Sequence, residues 1–443
     1  MGAADGTDAG TAADGGTAPG TPRVLRAMND RKALELLLAH GPLSRGRIGG
    51  LTGLSKPTAS QLLARLEAAG LVVATGSSEG RPGPNARLYA VNPQAAYVAG
   101  VDVDTSRIRA AVADLTGRTV GSAEVPGPRG CVPGPRTESA ADESSGDGSG
   151  DGPGDAVAQV VRALDGAARA AGVPRERVRR TVIGTPGAFD PRSGRLNYAS
   201  HLDGWHSPAL REEMAAALSA PVEYDNDVNL AAVAESRLGA ASGHEDFVLL
   251  WNEQGIGAAL VLGGRPHRGH TGGAGEVGFL PVPGTPLVRH PERANTGGFQ
   301  QLAGSTAILR VARELGLEHD TGAPAREAAA ALLVEAVEHV EHAGRPAAPG
   351  PYGELLRRFA HGTAVGLAAL TAVLDPPLIV LSGALYAAGG ERVRGLVRDE
   401  LDQLAVRRPR LALGTVTAYP VLAGALESAL GTVRDEVFDT SAR

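Results

Sequence analysis

The chain has 443 residues, 43% of them hydrophobic but only 3% aromatic, and a formal net charge of −6. Such a length allows two or three domains, with cores built from Val, Leu, Ile and Ala. One cysteine, Cys131, excludes an intramolecular disulfide and a multi-cysteine zinc site, and with no signal peptide and no apolar run of about 20 residues the expectation is a cytoplasmic protein with no membrane contact.

Residues 1–22 are Gly, Ala, Thr and Asp with almost nothing to bury, and read as a disordered tail. Charge then shifts. Between Pro22 and Ala90 ten Lys/Arg face four acids, which makes that segment +6 on a chain of −6. A basic module on an acidic body suits nucleic-acid binding, because phosphate neutralisation needs local positive charge. A merely solvated basic face would look the same on charge alone.

Within residues 23–93 the pattern is three helices and a hairpin. Asn29 or Asp30 caps a first helix ending near His40, Ser44 caps a short second one, and Ser55 caps a third that stops at Gly70. Leu62, Leu63 and Leu66 form the core face of the third helix and leave Lys56, Thr58, Ser60, Gln61 and Arg65 outward. Two strands joined by a basic Gly/Pro turn follow and make a wing. This is a winged helix-turn-helix: Ser55, Lys56, Thr58 and Ser60 are expected at phosphates or base edges, Gln61 at a base, and Arg65 and Arg81 at phosphate or the minor groove. A protein-protein module is the bland alternative, which the short polar groups opening the third helix argue against.

From residue 94 to 443 apolar strands alternate with Ala-rich helices, implying an α/β body of two lobes around a cleft. Residues 126–154 interrupt it with Pro, Gly, Ser, Asp and Glu and read as a disordered insertion. Three turns past strand-like runs stand out: GTPGAF at Gly184–Phe189, DNDVN at Asp225–Asn229, and GHTGGAGEVGF at Gly269–Phe279. Open α/β sheets place ligands at such turns. Taken alone, the last is equally a tight Gly-rich turn with Glu276 on the surface.

Together with GTPGAFDPRSGRL, HLDGW, DNDVNLAAVAE, GIGAALVLGGRPHRGHTGGAGEVGF and DPPLIVLSGAL, the winged helix resembles the ROK family of repressors and sugar kinases, from about Met28 to the C-terminus. The resemblance implies an actin-like, ribonuclease-H-type two-lobed domain. It places Asp227 at the family's general-base position with Asn226 beside it, and puts Gly187, His201, Glu276 and Phe279 around a bound sugar. Several positions depart from the kinase pattern. Asp104 stands where a phosphate-turn glycine belongs, Gln254-Gly255 replaces Thr-Gly, and Phe279 replaces a His. No metal is expected, since the zinc-binding cysteines are missing and His290 is isolated, and no cofactor.

The sequence therefore reads as a DNA-binding transcriptional regulator, a repressor of carbohydrate uptake or catabolism genes. Its partners would be double-stranded operator DNA, a sugar or sugar-phosphate effector, and its own copies in a homodimer or homotetramer. An active sugar kinase carrying a DNA-binding arm is the alternative, and a constitutive regulator with a vestigial cleft a third reading.

Overall fold

The computed structural model describes residues 22–77, 86–127, 153–190, 195–197, 202, 205, 207, 209–287, 289, 297–342 and 350–439. The expected tail, the bulk of the expected insertion, Arg81, Cys131, His201 and His290 lie outside the described residues. Contacts divide the chain into two compact units, one running to Ala95 and including the residues from Arg434 onward, the other from Ala96 to Val433.

In the first unit, α1 (Pro22–His40), α2 (Arg45–Thr52) and α3 (Lys56–Ala68) pack around Leu34, Ile48, Leu62, Leu63 and Leu66, all nearly or fully buried. Ser44 caps α2 and Ser55 caps α3 as expected, each accepting a backbone N–H of the first turn. α1 begins seven residues before the expected cap at Asn29. The reason is Asp30, which turns inward and pairs with Arg65 of α3 at 2.6 Å instead of capping a helix end. A short strand, β1 (Leu43–Ser44), joins β2 (Val72–Ser77) and β3 (Arg87–Val91) in the order β1-β3-β2, so the wing is three-stranded. The final turns of the last helix of the chain belong to this unit: Asp435 pairs with Arg31 of α1, and Val437 and Phe438 are buried.

The second unit contains one topology twice. Strands β4 (Tyr97–Val103), β5 (Arg107–Asp114) and β6 (Thr119–Pro126) form an antiparallel meander. After α4 (Pro153–Ala171), β7 (Val178–Thr185) joins β4 in parallel; after β8 (Ala188–Asp190), β9 (Arg195–Asn197) and α5 (Leu210–Leu218), β10 (Val222–Asn226) joins β7. Then α6 (Asp227–Leu238) leads to the second meander, β11 (Phe247–Asn252), β12 (Ile256–Leu262) and β13 (Arg265–Pro266). Helices α7 (Gly298–Ala303), α8 (Ser305–Glu314), α9 (Ala325–His342) and α10 (Pro351–Leu374) precede β14 (Leu378–Ser382), which joins β11 in parallel. Finally α11 (Ala384–Leu404), β15 (Arg410–Leu413) and α12 (Pro420–Phe438) complete the chain. In both sheets the strands run third, second, first, fourth, fifth, and each sheet has its own apolar core.

Two helix boundaries are set by local contacts. α6 starts at Asp227 because Asn226 caps it by accepting from the Val228 and Asn229 amides at 2.9 and 3.2 Å. α7 and α8 are separate helices, broken where Gly304 adopts extended backbone beside Gln300.

Candidate ligand cleft and nucleic-acid interface

In the winged helix, the N-terminus of α3 is a small hydrogen-bonded assembly. Ser55 Oγ accepts the Thr58 amide and bonds the Thr58 hydroxyl at 2.8 Å. Ser60 Oγ donates to the Lys56 carbonyl and accepts from Arg45 at 3.1 Å. Lys56 and Gln61 remain exposed, with no side-chain partner among the described residues. Three of the expected contact residues, Ser55, Thr58 and Ser60, thus also shape the helix end. Arg65 differs more: its guanidinium is held by Asp30, whose side chain is 5% exposed, so its first task is to fix α3 against α1. Arg45 was counted only as charge in the sequence, although a basic residue opening α2 beside a helix-turn-helix turn is a usable signal.

The cleft of the second unit is a cavity of about 1010 Å³. Its walls include Gly187, Asn226, Asp227, Glu276 and Phe279, so five of the six expected ligand residues meet there; His201 lies outside the described residues. Strand ends and helix starts deliver them. Asn226 Nδ2 donates to the Gly187 carbonyl at 2.9 Å, tying the turn after β7 to the start of α6. Glu276 follows Gly275, whose φ of 103° and position would put a Cβ 1.9 Å from the Ala258 carbonyl oxygen; only glycine lets this loop lie on β12. Gln300 is also in the wall, where its Oε1 accepts the Ile256 amide at 2.6 Å.

A second pair of groups fixes the loop that carries Glu276. Arg268 donates twice to Asp225, at 2.6 and 3.2 Å, and Asn229 donates to the same carboxylate at 3.1 Å. Asp225 is 5% exposed. The sequence reading grouped Asp225 with its neighbours in DNDVN; it is a strut, and Asn226 and Asp227 face the cavity.

The electrostatics separate the cavity carboxylates. Burial pushes Asp227 up to about 7, with Asp102, Glu276 and Asp104 adding like charge and the Val228 amide opposing. Burial, with Asp104, pushes Asp102 up to about 6. Glu276 is raised by burial. A carboxylate poised near neutrality can hold a hydroxyl hydrogen or accept its proton.

Opposite these groups the cavity is filled from within. Glu253 Oε1 accepts the Ala384 amide at 2.7 Å, where α11 begins, and Oε2 accepts from Arg326 at 3.1 Å. Next to it, Gln254 Nε2 donates to Asp104 at 3.2 Å, so two positions singled out in the sequence bond one another. Glu253 was not singled out in the sequence; an acid beside Gln254 in a strand-strand turn was the available clue. No group of three or more His, Cys, Asp or Glu among the described residues is arranged to hold a metal ion.

Two five-stranded sheets of one topology facing a shared cleft define an actin-like, ribonuclease-H-type body, here in one chain with a winged helix-turn-helix. The ROK family matches residues 152–420, more than half of the chain, and the chain belongs to that family. The MarR family matches residues 32–81. The glucokinase of Streptomyces coelicolor is 26% identical over 292 residues, 66% of this chain and 82% of that protein. A putative xylose repressor of Caldicellulosiruptor sp. is 22% identical over 394 residues, 88% of this chain and 90% of the relative. Among solved structures, a ROK family transcriptional regulator described as a homolog of the E. coli MLC protein has a TM-score of 0.67 at 18% identity, covering 94% of this chain and 98% of its own; this likeness is one of fold. No helix among the described residues is long and apolar enough to cross a membrane.

Proposed function

We propose that the protein is a DNA-binding transcriptional regulator that represses carbohydrate genes and senses a sugar in its cleft. The observation that carries this reading is the joining of a winged helix, with Lys56 and Gln61 exposed at the start of its third helix, to a ROK body. The repressor relative, aligned over 88% of the chain, has the same span. In a homodimer or dimer of dimers, paired winged helices would read half-sites one or more turns of about 34–36 Å apart. A sugar with different affinity for two arrangements of the lobes would shift their populations and so the operator affinity.

Glu253 and the Asp104–Gln254 pair support a body that has given up nucleotide. A carboxylate already occupies the amide at the start of α11, and Asp104 adds negative charge where a phosphate turn needs none.

The test is titration of the full chain with genomic promoter DNA, first captured as bound fragments. Substituting Lys56→Ala with Gln61→Ala is expected to weaken binding at least tenfold and to lower its salt slope by about one charge. Unchanged affinity and slope would sink the DNA-reading assignment.

One observation favours a second reading, the sugar kinase: Asp227, at the family's general-base position, is raised to about 7. ATP-dependent phosphorylation across a panel of hexoses and aminosugars, abolished by Asp227→Ala, would establish it.

A further inference from the structure

The charges lining the cleft are strongly unbalanced. Five carboxylates, Asp102, Asp104, Asp227, Glu253 and Glu276, face two guanidiniums, Arg107 and Arg326, and no lysine among the described residues. Arg326 is engaged by Glu253, and Asp104 by Gln254 and Thr105. Arg107 lies close enough to Asp102 to favour its charged form. Among the described residues Asp227 accepts only the Val228 amide, while Asp102, Glu276 and Asp104 act on it as like charges. Asp102, Asp227 and Glu276 therefore share one cavity, and none of the three accepts from a side-chain donor among the described residues.

Resting on the sensing role proposed above, we infer that the cleft takes a sugar-sized polyol bearing a protonated amine and rejects phosphorylated sugars. An ammonium placed among these carboxylates donates three charge-assisted hydrogen bonds and relieves their mutual repulsion. A neutral sugar supplies hydroxyl donors but leaves the negative charge in place. A phosphate monoester brings a further charge of about −1.5 to −2 at neutral pH into the same field, where, of the two cations described in the cleft wall, Arg326 is ion-paired and Arg107 alone is left to meet it. The sequence reading left sugar and sugar phosphate equally open; the distribution of partners separates them.

The experiment is calorimetric titration of the full chain at pH 7 with D-glucosamine, D-glucose, D-glucosamine 6-phosphate, ammonium chloride and magnesium chloride in separate arms. The expected result is glucosamine binding at least tenfold tighter than glucose, no heat with the 6-phosphate, and loss of the amine preference in Asp227→Asn with Glu276→Gln. Thermal unfolding of that variant verifies that it is folded; if it is not, Glu276→Gln alone, expected to lose at least threefold of the preference, serves instead. Glucose binding as tightly as glucosamine, or the 6-phosphate binding at all, overturns the inference and leaves sugar sensing standing. Ammonium or magnesium alone giving the glucosamine response overturns it in favour of a simple cation site. Silence in every arm removes the sensing role and this inference together.

Discussion

The two halves of the body share a strand order, yet Asp102 and Asp227 in the first and Glu253 in the second are held differently. In the first half, Asp102 at the end of β4 and Asp227 after β10 sit in the cleft with little to bond them, and burial holds both well above the ordinary carboxylate range. In the second half, Glu253, in the equivalent first turn, has an amide and a guanidinium on its two oxygens. Identical topology thus leaves Asp102 and Asp227 without side-chain donors among the described residues and gives Glu253 partners on both oxygens, although burial raises Glu253 as well. The first kind is what a binding site keeps ready for a ligand; the second kind is structure.

Substitution in the two halves should therefore move stability in opposite directions. Asp227 carries the largest expected effect. Its pKa is higher folded than unfolded, so its contribution is full below its ordinary value near 4 and is lost as pH rises through about 7. Asp227→Asn is expected to stabilise the body by about 2–4 kcal/mol at pH 8 and to flatten the pH dependence between about 4 and 7. Urea unfolding at pH 5 and pH 8 measures both; equal stabilities of the two proteins at pH 8 would remove the contrast between the halves.

Glu253→Ala should do the reverse, costing about 1–3 kcal/mol at pH 7, because it strips a partner from the Ala384 amide and from Arg326 in a half-buried setting. If it leaves the midpoint of denaturation unmoved, Glu253 is not the structural member of the pair. Arg268→Ala should cost about 1–2 kcal/mol, discounted because its side chain is 54% exposed, while loosening the Glu276 loop. Amide hydrogen exchange is expected to rise in residues 269–276 and stay constant in β11; no change there would show that the glycine-rich loop holds itself. Smallest of all, Gln254→Ala removes an exposed hydrogen bond to Asp104 and should alter stability by less than about 0.5 kcal/mol. A larger loss would mean that this bond governs how the cleft is held.

Much of this was legible in the sequence. Strand-then-turn patterns placed the ends of β7 and β10 within a few residues, and Ser44 and Ser55 announced their helices because a short hydroxyl before an apolar run has few other local uses. What was hidden is long-range pairing. Asp30 looked like a helix cap and is a buried partner of Arg65, 35 residues away; Asp225 looked like part of the site and is bonded to Arg268, 43 residues away. Glu253 was unremarkable until the start of α11, 131 residues later, was brought against it. Sequence periodicity reports what a segment does with its own neighbours, and each of these three acids has a partner that only the folded chain brings to it.

Gly275 has a further consequence. A backbone pressed so closely onto β12 cannot be thickened or shifted to reshape the chamber beside Glu276. Phe279, three residues past the acid and also in the wall, has a side chain that can be exchanged. Under the proposed sensing role, selectivity would be tuned at an aromatic ring and fixed at the main chain next to it, so divergence among regulators built this way should concentrate at that ring.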